Sequence, residues 1–228
     1  MRFGRLLRWD LRFQARYGFY LLYGFLMTFY TLILFALPKS WKEKTAALLI
    51  FSDPAAMGLF FMGAIILLEK SQKVTSYFAI TPLKAWKYVW SKVLSLCVIS
   101  LVVAAVLAII AGCRNILFLL AGTFLASVIF TLCGIIVATK ISSLNQFILF
   151  TVPIEIIGFI PAILHLFGIG LASFMDRVYP ANVCMDLVMG KEPSGSGLAV
   201  TFITIALLTR GANRSVFKLW QEQGGIKL

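Results

Sequence analysis

Long apolar stretches alternate with short polar ones along the chain, and the apolar stretches have the length of membrane spans. Crossing about 30 Å of hydrocarbon takes about 20 predominantly apolar residues in a helix. Six segments are candidates: Gly18–Leu37, Ala47–Leu68, Leu94–Ala111, Ile116–Ala138, Phe147–Leu166 and Gly197–Thr209. The last is too short to cross as drawn, so its helix is expected to begin inside the loop before it. The pattern predicts an all-α polytopic membrane protein with six transmembrane helices over residues 18–228.

Residues 1–17 carry a different period. Arg2, Arg5, Arg8, Arg12 and Arg16 recur at steps of three and four, gathering on one helical face opposite Phe3, Leu6, Leu7, Leu11 and Phe13. This predicts an N-terminal amphipathic interfacial helix whose arginines meet anionic lipid headgroups. It either anchors the chain or passes motion to the first span.

Between the second and third spans lies a polar interruption, the loop 69–92. It begins Glu69-Lys70-Ser71-Gln72-Lys73 and continues through Val74, Tyr77, Phe78, Ile80, Thr81 and Pro82. Val74, Tyr77, Phe78 and Ile80 can share one side of a short helix. Pro82 ends it, because proline lacks an amide donor and restricts the residue before it. Trp86, Lys87 and Trp90 then suit the membrane boundary at the start of the third span.

Composition agrees with the spans. Hydrophobic residues make up 61% of the 228, charged residues 13%, and mean hydropathy is +0.94, more apolar surface than a soluble domain buries. The formal charge of +12 is topological. With the N-terminus inside, fifteen of the 21 basic residues fall in cytoplasmic segments, including Lys73, Lys84, Lys92, Lys140, Arg210 and Arg214. Both termini, including a tail over 210–228, are therefore expected on the cytoplasmic side of the plasma membrane, with lipid and not nucleic acid as the partner of this charge. The first span is expected to remain in the protein, since it is long, aromatic and followed by no small-residue cleavage pattern.

Candidate chemistry is sparse. Cys97, Cys113, Cys133 and Cys184 have no disulfide or metal spacing, and His165 stands alone, so no metal site and no catalytic residue is expected. Ser194-Gly195-Ser196-Gly197 lacks the leading glycine of an intramembrane serine nucleophile motif. Two acids lie in or beside spans, where an acid costs about 2.5–3.5 kcal/mol on insertion scales. Asp53 before Pro54 suits a helix cap, with residues 38–52 as an outer interfacial segment, or else a substrate contact. Glu155, between Pro153 and Pro161, either faces a pathway through a proline-loosened helix or bonds a neighbouring helix. Ala104, Ala108 and Gly112 in the third span, with Gly122, Ala126, Gly134 and Ala138 in the fourth, predict close packing of those two spans. The outer loop 167–196 offers an amphipathic piece at Phe167, Leu171, Phe174 and Met175.

Several motifs together resemble the type 2 ABC transporter permeases. Glu69-Lys70, Thr81-Pro82-Leu83 and Lys92 follow that family's order in the first cytoplasmic loop. Asp10-Leu11-Arg12-Phe13-Gln14, Arg16-Tyr17-Gly18-Phe19-Tyr20, Phe51-Ser52-Asp53-Pro54, Gly63 and Leu67-Leu68-Glu69-Lys70 are similar to the subgroup of fluoroquinolone or drug export permeases. The resemblance is carried by residues 8–95. It implies an export subunit that pairs with a second copy of itself or a related permease and with two cytoplasmic ABC ATPase subunits. Coupling would run through Glu69, Lys73, Val74, Tyr77, Phe78, Ile80, Thr81 and Pro82. The chain has no G-x-x-x-x-G-K-[ST] loop, so ATP and Mg²⁺ belong to the partner and this chain needs no cofactor of its own. A secondary transporter or accessory membrane protein, with Glu155 as its coupling acid, is the alternative.

Overall fold

The computed structural model describes residues 3–52, 57–169 and 173–223, the side chains of residues 80, 173 and 223 apart. Its regular structure is helical throughout the described residues: α1 (Phe3–Arg16), α2 (Phe19–Ala36), α3 (Lys39–Ser52), α4 (Gly58–Ser71), α5 (Val74–Ile80), α6 (Ala85–Ala111), α7 (Ile116–Lys140), α8 (Leu144–Leu166), α9 (Ser173–Val178), α10 (Pro180–Val188) and α11 (Gly195–Gln223). Five of these, α2, α6, α7, α8 and α11, are long and apolar enough to cross a membrane.

The expected second span, Ala47–Leu68, falls on α3 and α4, and Met57, just before α4, keeps a helical backbone with φ −75° and ψ −42°. Asp53 and Pro54 lie outside the described residues. The last span starts at Gly195, inside the preceding loop as expected, but continues well past Thr209 to Gln223, because Ala212, Val216, Leu219 and Trp220 keep a buried stripe at helical spacing past the point where hydropathy fades.

Helices α6 and α7 form the centre, with more than half of their apolar windows buried, while α2, α8 and α11 are largely exposed to their surroundings. Ala104, Ala108, Ala126 and Ala138 are buried as the small-residue pattern predicts. The glycines of α7 serve other neighbours than α6. A Cβ on Gly122 would stand 2.7 Å from the Cys184 carbonyl oxygen on α10, and one on Gly134 would stand 2.8 Å from that of Leu59 on α4. Gly112 instead closes α6 in the left-handed conformation, with φ 72°. Helix α8 runs unbroken through Pro153 and Pro161.

The two ends of the bundle are unlike. One gathers α1, α5, the start of α6, the close of α7 and the close of α11. The other gathers the close of α8 with α9, α10 and the start of α11.

Candidate functional site

The α5 end is built around a buried ammonium. Lys92 is on α6 and not in the preceding loop, because α6 starts at Ala85, and its side chain is 1% exposed. Its Nζ is 2.7 Å from Asp10 Oδ1 on α1 and also bonds Glu69 Oε1 on α4. The second oxygen of each acid is engaged too: Ser91 donates to Asp10 Oδ2, and Tyr88 donates to Glu69 Oε2 at 2.5 Å. Gln14 on α1 donates to Ser95 Oγ at 2.7 Å, one turn farther along α6. The rings of Trp9, Phe13 and Tyr88 lie 5.3–5.7 Å from the ammonium. Three helices distant in sequence thus share one cation, sealed by aromatic faces.

Sequence reasoning counts Lys92 as a topological charge and a loop motif residue, and Asp10 as a motif residue of the N-terminal segment, and so misses that they meet. A usable signal exists. Asp10 and Gln14 lie four apart on the buried side of α1, and Lys92 is flanked by Ser91 and Ser95 at the head of a long apolar helix. Polar residues on faces that should be apolar are partners in search of one another.

Glu69 belongs wholly to this cluster and is buried at its centre, out of reach of any partner surface. Lys70, next in the chain, donates to the carbonyls of Ala138, Thr139 and Ile141 at 2.7, 3.0 and 2.7 Å, tying α4 to the close of α7. The chain then reverses over Gln72 and Lys73. Gln72 donates to Tyr17 OH at 2.7 Å, and exposed Lys73 takes φ 56°, the one positive φ among described non-glycine residues. Helix α5 follows, and the extended Thr81 with Pro82 ends it as predicted; both are exposed.

Within α5, Tyr77 points outward and is 66% exposed, Val74 is half-buried, and Phe78 turns inward. The Phe78 ring meets Trp9 at 6.4 Å, Tyr88 at 5.5 Å and Trp220 of α11 at 6.1 Å. Tyr88 is also the donor to Glu69, so one ring contact separates α5 from the buried charges. A groove lies on each side of α5. One, about 600 Å³, is lined by Arg5, Arg8, Arg12, Trp9, Val74 and Tyr77. The other, about 580 Å³, is lined by Thr81, Lys84, Phe217 and Trp220 among others. Helix α5 is therefore a ridge between two hollows. Arg16 is exposed outside both grooves, and Arg2 and the Ile80 side chain lie outside the described residues.

Glu155 is half-buried on α8, with no hydrogen-bond or ion-pair partner among the described residues. An apolar cavity of about 380 Å³ opens nearby, lined by Phe130, Ile154, Ile157, Gly158 and Cys184 among others but not by Glu155. At the far end His165 is less isolated than its sequence position suggests. Its Nδ1 is 3.0 Å from Asp176 Oδ2 and its Nε2 2.8 Å from Asp186 Oδ1, while Asn182 donates to Asp176 Oδ1 at 2.6 Å. In that region Phe174 and Met175 are strongly exposed on α9, and Leu171 lies outside the described residues.

Comparison with known proteins extends the likeness past the motif-bearing region. A model of the Fluoroquinolones export permease protein family matches residues 1–191. Fluoroquinolones export permease proteins from two strains of Mycobacterium tuberculosis are each 29% identical over 165 residues, covering 72% of this chain and 70% of theirs. No solved structure matches the chain.

Proposed function

The chain belongs to the fluoroquinolone export permease family, and from that premise we propose that it is the membrane subunit of an ATP-driven exporter, with a separate ABC ATPase docking on α5. The observation that carries this is the ridge: a short helix between two hollows, exposed at Tyr77 and joined through Phe78 and Tyr88 to the charges that fasten α1, α4 and α6 together. A push on α5 reaches three helices at once. Arg5, Arg8, Arg12, Arg16, Lys73, Lys84 and Lys87 all belong to this end, and by the positive-inside rule that charge supports a cytoplasmic placement.

ATP and Mg²⁺ are bound by the ATPase, and the pathway forms where two permease subunits meet, with rocking between inward and outward states as the ATPases close. The relatives are named for fluoroquinolone export, and a fluoroquinolone is the first substrate to try here.

Mild extraction from native membrane tests the reading. An ABC ATPase co-purifies with the wild-type chain, and Tyr77→Asp loses it while elution of the permease is unchanged. Tyr77 suits this better than Phe78, whose inward packing makes a charge there a threat to the fold. Recovery of the ATPase with Tyr77→Asp at the wild-type level contradicts the assignment. Export that proceeds with no ATPase and fails in Glu155→Gln establishes secondary transport instead.

A further inference from the structure

The arginine stripe of α1 is turned toward α5 and not simply away from the protein. Arg5, Arg8 and Arg12 line the same groove as Val74 and Tyr77, although more than sixty residues of chain separate them. None of the three has a carboxylate partner among the described residues. The one acid of α1, Asp10, points into the bundle, where Lys92 and Ser91 hold it. The acid nearest in sequence to α5 gives no relief, since Glu69 is buried and committed to Lys92 and Tyr88.

Resting on the ATPase reading above, we propose that Arg5, Arg8 and Arg12 are half of the docking surface, and that the ATPase segment filling their groove is acidic around an apolar centre. The groove's floor is apolar, with Leu6, Trp9, Val74 and Phe78, and its rim is triply cationic. Its occupant must bury apolar side chains below and present carboxylates above. The groove across the ridge asks for something else: it has Phe217, Trp220 and Lys84 and no arginine. A partner straddling α5 is therefore asymmetric, acidic on the α1 side and mainly apolar on the α11 side. This asymmetry fixes which way round the ATPase sits, as charges at an interface rim set orientation and encounter rate.

The arrangement also gives α1 a task distinct from anchoring. A partner gripping Arg5, Arg8 and Arg12 holds α1, whose opposite face carries Asp10 and Gln14 into α6.

The test uses the ATPase identified by co-purification, added back to detergent-purified permease at several salt concentrations. Wild-type affinity falls with rising salt, because exposed charges are screened within about 10 Å at 0.1 M. The triple variant Arg5→Gln, Arg8→Gln, Arg12→Gln binds about tenfold more weakly at low salt, as expected for three rim pairs, and its affinity is nearly independent of salt. Arg16→Gln, on the same helix but outside the groove, leaves both quantities at wild-type values. Wild-type affinity and salt dependence in the triple variant overturn the inference, as does an equal loss in Arg16→Gln. An anionic lipid in the groove would leave ATPase affinity intact in the triple variant while removing bound phosphatidylglycerol in native mass spectrometry, which also overturns it. Absence of any ATPase from the wild-type preparation overturns the docking reading itself.

Discussion

At one end of the bundle Lys92 sits between Asp10 and Glu69; at the other, His165 sits between Asp176 and Asp186. The composition is the same, one cation and two carboxylates, but the surroundings differ. Lys92, Asp10 and Glu69 are 0–1% exposed, whereas the members of the His165 cluster are 18–23% exposed. Burial makes the first cluster obligatory, since an unpaired charge there has no water to turn to. Exposure makes the second adjustable. Its strength also depends on proton supply, because imidazole can donate from both nitrogens only when protonated. The sealed cluster joins α1, α4 and α6 into one unit beneath α5, while the wet one joins α8, α9 and α10 loosely.

Substitution at the sealed cluster should show the largest effect. Lys92→Met leaves two buried carboxylates facing each other and should cost about 3–5 kcal/mol, read as a collapse of thermal stability in detergent. A shift no larger than that of a surface lysine such as Lys84 would mean the cluster is not sealed. Lys70→Met removes three bonds to the closing carbonyls of α7 at a half-buried site, and about 1–2 kcal/mol should go with it. Asp10→Asn sharpens the contrast within the cluster: it leaves one ammonium with one carboxylate, so its cost should be about 1 kcal/mol or less, far below that of Lys92→Met. Equal losses from the two variants would contradict a cluster in which two carboxylates share one ammonium.

The smallest effect belongs to the wet cluster. His165→Gln should cost about 0.5–1 kcal/mol at acid pH, given its partial exposure. The sign follows from the contacts: the imidazolium gains two carboxylates on folding, so this stability is present at low pH and fades as pH rises. Melting of wild type should therefore fall toward alkaline pH relative to His165→Gln. Parallel pH profiles for the two proteins would show that the histidine contributes nothing through its charge.

Sequence pattern captured what depends on local chemistry. The stop at Thr81-Pro82 and the helix before it follow from proline's missing donor, and the large apolar segments follow from length. What it missed depends on which helices become neighbours. Lys92 resembles any basic residue at a membrane boundary until α1 and α4 bring acids to it. Arg210, Arg214 and Lys218 resemble a tail, yet α11 continues because Ala212, Val216 and Trp220 have a surface to pack against. Gly122 and Gly134 were legible as close-approach positions, but spacing within α7 carries no information about whether α6, α4 or α10 comes near.

The proposed entry of an ATP cycle at α5 can be tested by comparing the two ends directly. Tyr77 on α5 and Phe174 on α9 are aromatic residues at opposite ends of the bundle, 66% and 75% exposed. A photo-crosslinking phenylalanine analogue placed at position 77 in native membranes should capture an ABC ATPase, and the same analogue at position 174 should not. Capture at 174, or no ATPase at 77, would contradict α5 as the docking ridge.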